Sequence, residues 1–147
     1  MFDCHGALRL ARWREFRDNL ETSQTPFQDV AELWARAPLV NPYLDPADIK
    51  SWPDPWHLIL DDRYDNLAIC LGMLYTIKLT QRFIGVDFEI HTPMLQTDRE
   101  KDYFLIVDNT TVLNWEYRSA VPISRIKDSN RIIWSKEKES INKFLHN

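Results

Sequence analysis

The chain has 147 residues, of which 44% are hydrophobic and only three are glycine. This length and composition fit one folded domain and exclude a disordered or repeat-rich protein. The net charge is −4, with acidic and basic residues interspersed, which excludes the single-sign field of a nucleic-acid-binding protein. We therefore expect a single domain over residues 1–147 that has no nucleic-acid partner.

The two cysteines, Cys4 and Cys70, are too few for a disulfide framework and lack the close pairing of zinc ligands. No basic-then-apolar leader opens the sequence, and no apolar run approaches the roughly 18 residues that a membrane span needs. We expect a protein of a reducing compartment with no membrane partner, no cofactor and no metal. We also expect neighbouring protein subunits to order both chain ends, since free termini usually fray.

Residues 1–40 are predicted to form a helical N-terminal extension. Apolar residues recur at helical spacing over residues 7–20, and the remaining face of this helix is basic, which favours exposure to solvent. The arginines of that face are Arg9, Arg12, Arg14 and Arg17. Thr25 and Pro26 predict the N-cap and first residue of a second helix, which Pro38 ends.

Proline punctuates residues 39–55, where two Asp-Pro pairs predict short helical turns. The strongest helical pattern follows, with one buried face predicted at Leu67, Cys70, Leu71, Leu74, Ile77 and Leu79. Carboxylates suit the start of a helix, because they accept hydrogen bonds from its free N–H groups. Asp61, Asp62 and Asp65 lie there, together with Arg63, a cation that the positive end of the helix dipole disfavours.

After the central helix, the period of the pattern changes to two. Ile84, Val86, Phe88 and Ile90 alternate with polar residues or glycine, which predicts a strand with one solvated face. Further strands are predicted at residues 103–107, 112–115, 123–126 and 131–134, with polar turns at 97–102 and 108–111. Ser135 is expected to cap a C-terminal helix over residues 135–147. The order of elements defines an α+β fold, with the N-terminal and central helices packed on an antiparallel sheet.

Two stretches carry a family resemblance. Residues 55–68 read Pro-Trp-His-Leu-Ile-Leu-Asp-Asp-Arg-Tyr-Asp-Asn-Leu-Ala, and residues 106–115 contain Ile-Val-Asp-Asn and Val-Leu-Asn-Trp. The first is similar in spacing and polarity to Thr-Pro-x-Glu-Phe-Leu followed by Gly-Asp-Cys-Glu-Asp-Tyr-Ala. The second resembles a Val-Leu-Asp-Asn turn leading to Val-Leu-Pro-Trp. Together they resemble the papain-like transglutaminase-like superfamily, and especially its bacteriophage and bacterial cysteine proteinases.

The resemblance implies a transglutaminase-like core over residues 41–134. It also implies a site in which a cysteine attacks, a histidine transfers the proton and an aspartate orients the histidine. By motif position these roles fall on Arg63, His91 and Asp108. Because arginine stays protonated and only donates hydrogen bonds, it cannot act as the nucleophile, so we expect no catalytic residue. We expect Arg63 to pair with the nearby aspartates, or to bridge to Asp108 as a structural clasp.

We therefore expect a pseudoenzyme that binds other protein subunits in a homo- or hetero-oligomeric assembly. The family's bacteriophage members point to a virion structural protein of the tail, neck or baseplate, or else to a cytoplasmic protein. Two alternatives stay open. One is an active cysteine hydrolase or transferase that uses His91 and a displaced thiol, although Cys70 is expected to be a buried core residue. The other is a host-directed effector that binds protein.

Aromatic residues provide one further expectation. The chain has six tryptophans, most of which fall on apolar faces and are expected in the core. Tryptophan also anchors protein interfaces, so one or two exposed tryptophans would indicate a docking surface.

Overall fold

Helices and an antiparallel sheet make up the computed structural model, which describes residues 1–93, 103–126 and 130–135. The helices are α1 (Gly6–Leu20), α2 (Pro26–Trp34), α3 (Pro55–Ile59) and α4 (Asn66–Lys78), and the short 3-10 helices are Ile49–Ser51 and Ile123–Arg125. The strands are β1 (Phe88–Pro93), β2 (Phe104–Val107), β3 (Thr111–Glu116), β4 (Ser119–Pro122) and β5 (Asn130–Ser135). Their order in the sheet is β4-β3-β2-β1-β5, and neighbouring strands are antiparallel. The predicted α+β class is confirmed.

Helices α1 and α2 agree closely with their predicted bounds, and Pro26 opens α2 as expected. Proline suits that position because it has no N–H group to leave unsatisfied. Asp54 caps α3 by accepting a hydrogen bond from the backbone N–H of His57 at 2.8 Å. The predicted exposure of Arg9 is wrong, since this residue is only 2% exposed.

Helix α4 is the centre of the fold. It contacts α1, α2 and α3 as well as strands β2 and β3, so its side chains are buried on nearly every side rather than on the single face predicted. The predicted burial of Leu79 is wrong, because this residue follows the last helical residue and is 37% exposed. Gly72 lets the indole of Trp34 lie directly on the helix backbone. One turn later, the Thr76 hydroxyl accepts a hydrogen bond from the indole N–H of both Trp13 and Trp34, each at 3.0 Å.

The sheet confirms three strand predictions and corrects two. Strands β2, β3 and β5 lie where the apolar runs predict them. Strand β1 begins at Phe88 rather than Ile84, because residues 81–85 form turns and Ile84 is exposed. The predicted strand at 123–126 is wrong. Those residues contain a 3-10 helix, and β4 lies just before them in a sequence with no marked β propensity.

The turn between β2 and β3 is a tight hairpin. Asp108 and Asn109 both have positive φ, at 53° and 55°, and the Thr110 N–H donates to the Val107 carbonyl at 3.0 Å. This is the geometry of a type I′ turn, for which aspartate and asparagine are well suited.

The two faces of the sheet have different neighbours. Leu105, Val107 and Leu113 belong to the large core shared with the helices, whereas Phe104, Ile106, Val112 and Val121 form a second cluster on the other face. This split follows from the alternation of side chains along each strand. The turn predicted at 97–102 and the helix predicted at 135–147 lie outside the described residues.

The outer edge of β4 is closed by a side chain of α2. The amide of Gln28 accepts a hydrogen bond from the Ala120 N–H at 3.0 Å and donates one to the Arg118 carbonyl at 2.7 Å. One glutamine therefore occupies the backbone groups that a further strand would use.

Candidate functional site

The start of α4 is built on Asp65, a buried carboxylate. One of its oxygens accepts a hydrogen bond from the Ala68 N–H at 2.7 Å, as an N-cap does. Its other oxygen accepts from the N–H groups of Tyr43 and Leu44, each at 2.8 Å. The same side chain thus begins the helix and holds the proline-rich segment against it.

Arg63 lies two residues before this cap and is therefore not in the helix. It is exposed and lines an open cleft of about 670 Å³ with Tyr43, Asp61 and Asp62. Its carbonyl accepts a hydrogen bond from the Tyr43 hydroxyl at 3.1 Å. Within the described residues, the ion pairs do not include Arg63, so both the predicted aspartate pairs and the predicted clasp to Asp108 are wrong there.

His91 lies on the face of the sheet that points away from α4. Its ring stacks on Phe104 of the second cluster, with centroids 5.7 Å apart, and its Nε2 lies 2.8 Å from a carboxylate oxygen of Glu89. Asp108 is in the exposed β2–β3 turn, four residues along β2 from Phe104, the partner of His91. At about 3.3 Å per residue, the two positions are about 13 Å apart along the sheet.

The structure therefore does not bring Arg63, His91 and Asp108 together. Motif spacing alone placed them in one site, but the alternation of side chains directs His91 to the far face. The presence of aspartate at position 108 is explained by the positive φ of this residue in the β2–β3 turn. Among the described residues, no group of three His, Cys, Asp or Glu side chains is placed to hold a metal ion.

A cluster of polar groups that the sequence did not reveal lies at the start of α4. Asn66, the first helical residue, accepts a hydrogen bond from the Tyr103 N–H at 2.7 Å. The Asn114 side-chain nitrogen lies 3.3 Å from the same Asn66 oxygen, 2.8 Å from the Tyr103 carbonyl and 3.5 Å from the Cys70 sulfur. Asn114 has a φ of 65° at a register shift in β3, which brings its side chain to the helix.

The sequence signal for this cluster is the N-cap: with Asp65, the last of the three aspartates, as the cap, Asn66 is the first helical residue. The left-handed conformation of Asn114 has a weaker signal, since asparagine adopts positive φ more readily than most residues. Nothing in the periodicity of β3 marks the register shift.

Cys70 lies one turn into α4 and is fully buried, as predicted. A thiol there gains no solvent access, and it is separated from the imidazole of His91 by the sheet. A cavity of about 150 Å³ beside Asn66 and Asn114 is lined mainly by apolar side chains, including Trp34, Ile69 and Met73. The arrangement can donate and accept hydrogen bonds, and the Cys70 sulfur lies 3.5 Å from the side-chain nitrogen of Asn114.

Burial shapes the electrostatics near Arg63. It raises the pKa of Tyr43 to about 12, and the charges of Asp65 and Asp61 add to that shift. Burial is also the main reason that the pKa of Asp61 is raised, with Asp62 contributing. Both shifts favour the protonated form, and the Tyr43 hydroxyl therefore stays protonated near neutral pH.

Arg9 is a second residue whose role the sequence did not reveal. Its guanidinium donates to the carbonyls of Phe2, Cys4, Ile59 and Asp61. Phe2 packs on Trp34 and Tyr64 with ring centroids 5.1 and 5.6 Å away. The first residues are thus held by the chain's own core, and no neighbouring subunit is required for that.

Comparison of the chain with protein-family models, curated proteins and solved structures found no match. Among the described residues, no helix combines the length and the apolarity needed to cross a membrane.

Proposed function

We propose that the chain is a non-catalytic protein with a transglutaminase-like core that binds other proteins as a structural or assembly component. The proposed setting is a bacteriophage particle, in its tail, neck or baseplate. One observation carries the non-catalytic part of this proposal. The residue that opens the central helix is Asn66, and its oxygen already binds the Tyr103 N–H. A thiol enzyme of this layout needs an ionised cysteine at that position.

Exposed apolar side chains support a binding role. Leu39 and Tyr117 rim the small cavity beside Asn66, and Tyr117 is 78% exposed. Trp56 and Trp115 are also exposed, and exposed tryptophan supports a docking surface. Aromatic residues contribute much of the binding energy at protein interfaces, because they bury a large area with few rotatable bonds.

The first test is the reactivity of the thiols. In the folded protein at neutral pH, we expect iodoacetamide to modify Cys70 far more slowly than the partly exposed Cys4. Peptide mapping by mass spectrometry measures both rates, and unfolding in denaturant should make them similar. The variant Arg63→Cys should show no peptidase activity, because residue 63 precedes the helix and its thiol would lack the helix N-terminus that stabilises a thiolate. Fast alkylation of Cys70, or hydrolysis by either protein, would support a cysteine hydrolase or transferase instead.

The second test asks whether the chain is part of an assembly. Mass spectrometry of purified particles should detect the chain, and its complex should bury well above about 1,000 Å² of surface. A chain that is absent from particles but binds a host protein would support the host-directed effector. A chain that stays monomeric and contact-free would refute a binding role altogether.

A further inference from the structure

A groove far from the start of α4 lies between α1, α3 and the C-terminal end of α4. Its volume is about 620 Å³, and its lining includes Leu10, Arg14, Arg17, Trp56 and Leu79. Trp56 is 50% exposed, and Leu79 is also exposed. The groove therefore presents two arginines beside a solvent-accessible apolar wall.

Arg17 is held in place by two tryptophans. Its guanidinium carbon lies 4.4 Å from the ring centroid of Trp13 and 5.7 Å from that of Trp56. The two indoles meet edge to face, with centroids 5.7 Å apart. Cation–π contacts of this kind fix the orientation of a guanidinium without using its N–H donors.

The hydrogen-bonding capacity of Arg17 is not used within the described chain. Its Nε is buried and has no hydrogen-bond partner, and none of the described ion pairs includes Arg17. Burial lowers the pKa of Arg17, the Asp18 carboxylate opposes that shift, and the charge of Arg14 adds to it. Like charges three residues apart on a helix destabilise each other, and a bound anion relieves that repulsion.

The acidic side chains that line the groove do not pair with Arg17. Both oxygens of Glu21 are occupied, because they accept hydrogen bonds from the backbone N–H groups of Gln81 at 3.2 Å and Arg82 at 2.8 Å. Asp18 is exposed, and its hydrogen bonds and ion pairs in the described chain do not include Arg17. A carboxylate supplied from outside would match the planar fork of Arg17.

We infer that this groove binds an acidic segment of a partner protein. A carboxylate of the partner pairs with Arg17, and a neighbouring apolar side chain packs on Trp56 and Leu79. A nucleic acid fits less well, because its backbone needs cations at several successive phosphates and the groove offers two arginines. The inference rests on the proposed function, since it presumes a protein partner.

The test uses an acetylated and amidated peptide, Gly-Asp-Glu-Phe-Leu-Gly, and its neutral analogue Gly-Asn-Gln-Phe-Leu-Gly. Nitrogen–proton correlation spectra of the full chain report the Nε–H of Arg17 and the indole N–H of Trp56. We expect both signals to shift saturably with the acidic peptide, with a Kd of about 1 mM. The neutral analogue should bind at least about tenfold more weakly, which corresponds to the loss of one charge-assisted contact.

Variants locate the binding to the groove. Arg17→Gln and Trp56→Ala should each weaken binding of the acidic peptide about tenfold or more. Arg12→Gln is the matched control, because Arg12 lies on the same helix, is exposed and pairs with Glu15 at 3.2 Å. It should change the Kd by less than about twofold. The indole signal of the buried Trp34, whose N–H donates to the Thr76 hydroxyl at 3.0 Å, reports whether each variant is folded.

Three results would overturn the inference: equal binding of both peptides, no saturable shift, or displacement of the peptide by a short single-stranded oligonucleotide. Incorporation into particles separates this inference from the proposed function. If the Arg17→Gln chain is still incorporated normally, the groove is not the docking surface although the assembly role holds. If the wild-type chain is missing from particles while the peptide binds, the assembly role is refuted, but the groove is still a binding site for an acidic peptide.

Discussion

Asp65 is the carboxylate on which the start of α4 depends, because it accepts hydrogen bonds from three backbone N–H groups. We predict that Asp65→Ala lowers the free energy of unfolding by about 2–4 kcal/mol, since it removes a helix cap and leaves two further donors without a partner. Urea denaturation measures the loss. Asp62→Ala is the control and should change stability by less than about 0.5 kcal/mol, because Asp62 is exposed. Similar losses in both variants would contradict this role of Asp65.

We predict that the protein loses stability at alkaline pH because of two tyrosines near Asp65. Burial raises the pKa of Tyr43 from 10.0 to about 12, and burial also raises the pKa of Tyr64. The unfolded chain therefore releases these protons first, and the free energy of unfolding should fall as the pH rises above about 10. Below that pH, the contribution of both groups is fully present.

Denaturant titrations at successive pH values measure this slope. Tyr64→Phe should be less stable at neutral pH, since the Tyr64 hydroxyl donates to the carbonyls of Leu58 and Ile59 at 3.0 and 3.1 Å. Its alkaline slope should nevertheless be shallower, because one of the tyrosines with a raised pKa is gone. An unchanged slope would show that Tyr64 does not contribute.

At the scale of elements, the packing of α2 on α4 depends on a glycine. A Cβ added at Gly72 would lie 2.2 Å from an indole carbon of Trp34, whose N–H is fixed on Thr76 at 3.0 Å. Alanine favours a helix by about 1 kcal/mol over glycine, but the collision is larger. We predict that Gly72→Ala destabilises the protein by about 3 kcal/mol, measured by thermal or urea unfolding.

Gly85→Ala provides the comparison for this prediction. Gly85 has a φ of +83° and nothing within 4 Å of an added Cβ, so its substitution introduces backbone strain without a collision. That strain costs about 1–2 kcal/mol. If Gly72→Ala proves neutral or stabilising, Trp34 can move aside and the packing is looser than its geometry indicates.

The elements also show what the sequence can and cannot predict. Helical and alternating patterns report burial, which is why α1, α2, α4, β2, β3 and β5 are found where they are predicted. Strand β4 owes its place to pairing with β3 and to Gln28, neither of which leaves a pattern in its own residues. The burial of Arg9 could not be predicted either, because it depends on four backbone carbonyls. Two of these, from Ile59 and Asp61, lie far along the chain from Arg9.

The site was predicted less well than the fold. Spacing along the chain does not determine which face of a sheet a side chain occupies, so His91 was assigned to a site that it does not reach. The start of α4 was also not predictable to the residue, since three aspartates lie near it, and Arg63 lies outside the helix whose first residue is Asn66. The burial of Cys70 was predictable, because it lies within the apolar pattern of the central helix.

At the scale of the whole molecule, Arg9 joins the first residues to the segment between α3 and α4. Its guanidinium is bound by backbone carbonyls, which solvate its charge in place of water. We predict that Arg9→Met lowers the free energy of unfolding by about 3 kcal/mol, because it leaves several buried carbonyls without a donor. Limited proteolysis should also cut the N-terminal residues faster. Arg12→Met, on the exposed side of the same helix, should leave both measurements nearly unchanged.

The closure of β4 by Gln28 has a consequence for how copies of this molecule can meet. A sheet whose border is free invites the border of another sheet, and the pairing can continue without limit into fibres. Here the incoming backbone would first have to displace the glutamine amide from the Ala120 N–H and the Arg118 carbonyl. At this border, growth by strand addition is therefore opposed by bonds that the molecule already makes.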